Sequence, residues 1–378
     1  MNRNFVFKTN ISLSSDPRGA VENCISEAYE GLEDVRFAFL FTTDSYDHRV
    51  IWETARVLLR GIRFVGLCSG GVIFKDEVYR KAIGVCLIGG EIEVCTSIQG
   101  DLSRDPKKVG TSLGEELLES GIREGTVFVF PDGFSSKVSE ALKALYEVMG
   151  PYFDYVGGCA GDNLRFFKTY QFTEKELRSD AIAAALIKGI RITSAFGHGW
   201  RPTGHYFVIT EAKGKTVYKL DGREAFSAYC EAVGPIPPER FAEIGLRYPF
   251  GFSTSSGYFL IRDPLKVNPG GGIEFVTEVP AHALGYIMET TKEEMIDTAR
   301  KVAKEVKGRS ENPSLALIFD CVSRRILLGK EFQRELLALK EELGEGVGMI
   351  GILTFGEIGC LEGVPFLHNK TLVLATLG

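Results

Sequence analysis

The sequence predicts an α/β fold of mixed sheets flanked by helices, built from duplicated strand–helix–strand–hairpin units. Three observations carry this. A glycine-turn phrase recurs, VGLCSG at 65–70 and VGGCAG at 156–161, with a looser echo, IGILTFG, at 350–356. Each of the first two follows an apolar run, an Asp and a helical stretch: FAFLF at 37–41 and VFVF at 127–130. Each precedes another apolar run, AIGVCLIGG at 82–90 and AIAAALIKG at 181–189. One glycine-containing hexamer matches another cheaply, but a matched succession of strand, helix, turn and strand marks a repeat. The repeated unit is placed at 36–98 and 126–196, the two copies related by a pseudo-twofold. The block from 315 to 377 reads as a third copy.

In order, helix 18–32 is read from Val21, Cys24, Ile25, Ala28, Tyr29 and Leu32 at helical spacing. The unbroken run 36–42 is a strand covered on both faces. Thr42-Thr43-Asp44-Ser45 turns into a helix, with Asp44 the expected N-cap, and Val50, Ile51, Thr54, Ala55 and Leu58 form its apolar face. In the second copy Val138, Ala141, Leu142, Leu145 and Met149 mark helix 135–149. Strands 82–88 and 91–98, and again 181–187 and 190–196, flank the dipeptides Gly89-Gly90 and Lys188-Gly189, which read as hairpin turns. Beyond lie strands 205–211 and 216–220, then helix 223–233, stopped by Pro235, Pro237 and Pro238. Strands 257–262 and 273–279 follow around the turn 268–272. Helix 291–307, strand 315–320, helix 331–343, strand 347–354 and strand 371–377 complete the chain. The division falls at 1–214 and 215–378.

The chain has 378 residues and a net charge of −6. Without a basic patch it is not expected to bind nucleic acid. Without a long apolar run it is not expected to span a membrane, and no signal-peptide core appears. Eight cysteines without a C-x-x-C pair read as reduced, buried thiols of a cytoplasmic protein. Three glutamines among many Glu, Lys and Arg point toward a thermophile.

The second half carries Gly199-Trp200 with Pro202, Leu220-Asp221-Gly222, Tyr248-Pro249-Phe250-Gly251, Phe319-Asp320-Cys321 with Arg324, Gly356-Glu357-Ile358-Gly359, and Leu367-His368-Asn369 with Thr371. Gly158-Cys159-Ala160-Gly161-Asp162 joins them from the first half. Together these resemble the FIST family, with its N-terminal and C-terminal domains both present. The resemblance implies a sensory module that binds a small molecule such as an amino acid or another carboxylate. It places the ligand between the glycine loops and the C-terminal domain. Such modules accompany a signalling output domain. This chain shows no residues for one, so output passes to a separate partner protein.

The expected ligand-binding residues are Cys68, Ser69, Gly70, Gly161, Asp162, Asn163, Arg324, Thr354, Glu357, His368 and Asn369. The glycines let a backbone approach a ligand, and successive N–H groups can cradle an anion. Arg324 suits a carboxylate, Glu357 an ammonium, and Asn369 an amide or carboxylate. Packing of the glycine loops and a salt bridge from Arg324 to one of many surface carboxylates are the competing structural readings. No catalytic residue, metal or cofactor is expected: Asp44, Asp47 and His48 could cluster, but helix capping explains Asp44 more simply than a metal. Two alternatives stay open. One is a hydrolase using Cys68 or Cys159 with a His brought near by folding. The other is a haem-based gas sensor, as the family resemblance implies for some members, although only five histidines are present and none follows a C-x-x-C pair.

Overall fold

The computed structural model describes residues 5–32, 34–310 and 312–378. Within them the repeat is threefold. The first unit runs Val6–Ser12, helix Pro17–Tyr29, Val35–Thr43, helix His48–Leu58, Arg63–Ser69, a hairpin of Val72–Phe74 and Glu77–Tyr79, and Ile83–Gly89. The second runs Glu93–Gly100, helix Pro106–Glu119, Gly125–Pro131, helix Val138–Met149, Phe153–Gly158, a hairpin of Gln171–Thr173 and Leu177–Arg178, and Ala181–Lys188. The third starts with Ile192–Gly197 and accepts a large insertion. It resumes with helix Lys292–Arg309, Leu315–Cys321, helices Val322–Leu328 and Phe332–Leu343, Gly348–Thr354, a hairpin of Glu357–Leu361 and Val364–His368, and Leu372–Leu377.

Each unit builds a sheet in the same order: first strand, last strand, second strand, third strand. The second and third strands are parallel, as in Leu40 opposite Gly66, Phe128 opposite Val156 and Phe319 opposite Ile352. The sheet is completed by a hairpin from another unit. The second unit's hairpin joins the first sheet, the third unit's joins the second, and the first unit's joins the third. The three units are therefore interlocked cyclically.

This layout corrects two expectations. Gly89-Gly90 and Lys188-Gly189 do not close hairpins: Ile83–Gly89 pairs with Val6–Ser12 and Val35–Thr43, while Glu93–Gly100 pairs with Ala181–Lys188 in another sheet. Gly90 and Gly189, at φ 114° and 104°, instead carry the chain between sheets in a backbone conformation that glycine adopts readily. Accordingly, the unit begins a strand and a helix earlier than expected and ends one strand earlier, and its copies are related by a pseudo-threefold, not the expected pseudo-twofold. Helix His48–Leu58 is capped by Asp47, whose side chain accepts from the amides of Arg49 and Val50, and not by Asp44.

Both-face burial explains the unbroken apolar runs. Phe37, Phe39 and Phe41 point into a core shared by all three sheets, where Phe39 meets Phe128 at 4.8 Å and Phe130 meets Phe319 at 5.8 Å. The alternate residues Ala38 and Leu40 face the outer helices. Val127 and Val129 do the same in the second sheet, and Ala316 and Ile318 in the third. The insertion, from Arg201 to Glu289, forms a fourth, antiparallel sheet around the long strand Arg201–Lys213, with helices Ala225–Val233 and Phe241–Arg247.

Candidate functional site

The ends of the parallel strands converge on the threefold axis, and the glycine loops close a ring there. Gly161 N donates to Cys68 O at 3.1 Å, Phe355 N to Cys159 O at 3.2 Å, and Gly70 N to Leu353 O at 3.1 Å. Cys68, Cys159 and Leu353 thus occupy one position of the repeat, and Gly70, Gly161 and Phe355 another. Two glycines leave out the side chain that the third unit supplies: the Phe355 ring fills the space, 5% exposed. It packs against Phe134 and Phe166 at 5.5 and 5.6 Å. Ser69 Oγ is bonded to Thr42 O and Gly71 O. Asp162 is buried and shapes the following loop by accepting from the amides of Arg165, Phe166 and Phe167. The carboxylate of Asp44 accepts from Asn163 N at 3.2 Å and from Arg165 Nε at 2.9 Å. His48 bonds Thr42 Oγ1 at 3.0 Å and stacks on Tyr170.

Both thiols at this axis are buried. Burial pushes the Cys68 thiol well up, and Asp44 and Asp162 push it further. Burial does the same to Cys159, with Glu357 and Asp132 adding to it. Among the described residues neither thiol is hydrogen-bonded to a histidine.

A second group lies behind the ring, linked to it by Thr354. Thr354 Oγ1 donates to Glu357 Oε1 at 2.7 Å, and Thr371 N donates to Oε2 at 3.2 Å. Burial pushes Glu357 up to about 8 against those two bonds. Arg324 is fully buried. Its guanidinium bonds Glu335, stands 3.3 Å from Asp320, and donates to the carbonyls of His198 (2.5 Å), Lys370 (3.2 Å) and Met295 (3.1 Å). A ligand carboxylate reaching it would have to displace Glu335. His368 packs its ring on Phe196 at 4.6 Å, and burial lowers it to about 3. Asn369 accepts from Thr277 Oγ1 at 2.7 Å, a tie into the inserted sheet. The fold thus brings Cys68, Ser69, Gly70, Gly161, Asp162, Asn163 and Thr354 to the axis. It brings Glu357, Arg324, His368 and Asn369 into a separate buried network.

A cavity of about 680 Å³ opens beside this network. Helix Val138–Met149 forms one wall with Leu142 and Tyr146, strand Val364–His368 another, and the inserted sheet the third with Phe252, Leu260, Arg262 and Glu278. The volume lies within the range of about 300–1,000 Å³ usual for ligand pockets. Sequence reasoning passed over Arg262 and Glu278. The available signal was an arginine closing an apolar strand, Phe259–Arg262, at a turn.

The sequence profile of the FIST N domain matches residues 36–223, and that of the FIST C domain matches residues 225–360. The chain belongs to the FIST family. FIST domains are sensory domains. An uncharacterized protein of Methanocaldococcus jannaschii is 25% identical over 343 residues, covering 80% of this chain and 65% of that protein. An uncharacterized protein of Mycobacterium bovis is 25% identical over 232 residues, covering 58% and 59%. The chain thus spans about three fifths of the length of these relatives. Among solved structures, the cyanuric acid hydrolase of A. caulinodans aligns over 99% of both chains, at 8% identity and a TM-score of 0.38. Among the described residues no helix of this FIST protein is long and apolar enough to cross a membrane.

Proposed function

We propose that this FIST protein is a signal-input module that binds an amino acid or another small carboxylate and passes its occupancy to a separate output protein. The supporting observation is the 680 Å³ cavity, whose walls come at once from the second unit, the third unit's exchanged hairpin and the inserted sheet. An occupant there touches both the FIST N and the FIST C regions. Binding energy can then bias how the inserted sheet sits on the repeats, which is what a sensor needs. In this reading His368 and Asn369 act from behind the cavity wall, and the axial glycine loops hold the units in register. No cofactor takes part. The buried, proton-retaining thiols support binding over hydrolysis.

Native mass spectrometry of the purified chain, followed by melting-temperature screening against amino acids and small carboxylates, tests this. A ligand at 100 times its Kd stabilises the folded state by about 2.7 kcal/mol, enough for a clear rise. If no bound small molecule is detected and no compound raises the melting temperature, the reading fails.

A further inference from the structure

We infer that the cavity beside Arg262 is a site for an organic acid, with its carboxylate on the Arg262 guanidinium and an apolar tail in the groove. This rests on the ligand-binding reading above and gives it a location and a chemistry. Arg262 is 8% exposed. Its Nε donates to Glu278 O at 2.9 Å, and its Nη1 to Ile261 O at 2.8 Å and Leu367 O at 3.3 Å. Among the described residues Nη2 makes no hydrogen bond and no carboxylate lies within ion-pair distance. The neighbouring Asp263 is taken by Lys370 at 2.7 Å, and Glu278 faces Lys137 at 3.8 Å.

A buried cation without a direct ion pair is costly, and here burial lowers the guanidinium to about 10, against the raising effect of Glu278 and Asp263 nearby. Every other fully buried cation of the network, Arg324 and Lys370, has a carboxylate of its own. An anion arriving in the cavity would complete Arg262, using the free Nη2 in the planar geometry that carboxylates match. Most of the rest of the wall, including Leu142, Tyr146, Phe252, Leu260 and Phe366, is apolar; Ser139, Lys143 and Glu147 line its helix side, where Lys143 and Glu147 pair with each other at 3.8 Å. A bare inorganic anion would leave that surface wet, so an aromatic or branched aliphatic tail is favoured. Glu278, on the same wall, offers a place for an ammonium group, which separates amino acids from plain acids.

The test uses the full chain and four probes: phenylacetate, its neutral isostere phenylacetamide, phenylalanine and leucine, with affinity read by calorimetry and melting temperature. Phenylacetate or an amino acid is expected to bind at least tenfold more tightly than phenylacetamide. Arg262→Lys should weaken the bound acid at least tenfold, and Val364→Trp, which fills the groove, should abolish binding. Glu278→Gln should weaken phenylalanine and leucine while leaving phenylacetate unchanged if both sources of the carboxylate are accepted. Should Arg262→Lys fail to fold, the acid–amide comparison on the unaltered chain and the Val364→Trp variant still decide. Equal binding of acid and amide, or full binding by Val364→Trp, overturns the inference. A co-purified ligand indifferent to both substitutions sinks this site and leaves the sensory reading standing. Absence of any ligand sinks both.

Discussion

Gly161→Ala sets two effects of opposite sign against each other. The backbone at Gly161 is outside the positive-φ region, so alanine there is unstrained and would stabilise by about 0.4–1 kcal/mol through the unfolded chain. However, its methyl would lie 1.9 Å from Phe355 Cδ2 and 2.3 Å from Cε2. No adjustment of a few tenths of an ångström relieves that. The ring must leave its place between Phe134 and Phe166, giving up contacts worth about 0.5–1.5 kcal/mol each. Overpacking of this kind costs about 1–3 kcal/mol, so a net loss is expected. Gly70→Ala, at 3.2 Å from Phe355 Cε2, should be nearly neutral.

The decisive comparison is with Phe355→Ala, expected to cost about 3–5 kcal/mol alone. In the double variant the new methyl enters space that the ring has left. The Gly161 penalty should therefore shrink, giving a coupling of about 1–3 kcal/mol. Urea unfolding with unchanged m-values measures it. If the two changes add within about 0.5 kcal/mol, the ring of glycines is not there to house Phe355, and the packing account is refuted.

Two further outcomes follow from the buried network. Arg324→Ala leaves Asp320 and Glu335 buried without their cation and should cost about 3–5 kcal/mol; an unchanged melting temperature would show that those carboxylates are already neutral. Burial lowers His48 and His198 to about 4 and His368 to about 3, below the unfolded value of 6.5. The folded state then holds fewer protons, so this stability is full above pH 6.5 and is lost as pH falls toward 4. Glu357, raised to about 8 from 4.5, acts with the opposite sign, its contribution being full below pH 4.5 and lost as pH rises toward 8. Unfolding free energies between pH 4.5 and 7.5 should show the acid-side loss, and His48→Gln should reduce its slope by about one proton; an identical slope would disprove it.

What the sequence made legible was whatever depends on a residue's own neighbours. The unbroken apolar run 36–42 gave both-face burial, and the aligned Cys68, Cys159 and Leu353 turned out to accept the three hydrogen bonds that close the axis. Pairing was not legible, because Gly89-Gly90 between two apolar strands looks the same whether the strands pair or enter different sheets. Helix Pro106–Glu119 was overlooked although Asp105-Pro106 is a good start signal. The two arginines show the limit most clearly. Arg324 and Arg262 each follow an apolar strand, and the sequence offers Arg262 the nearer partner, Asp263. Yet adjacent residues on extended backbone point to opposite sides. Asp263 therefore turns to Lys370, more than a hundred residues away, while Arg262 turns to the cavity without a counter-ion. Arg324, whose neighbourhood looked open, meets Glu335 on the following helix, Phe332–Leu343, and is neutralised. Which cation is left for a ligand is thus set by strand facing and distant partners. Reading the site from sequence selected the residue that the fold had already satisfied.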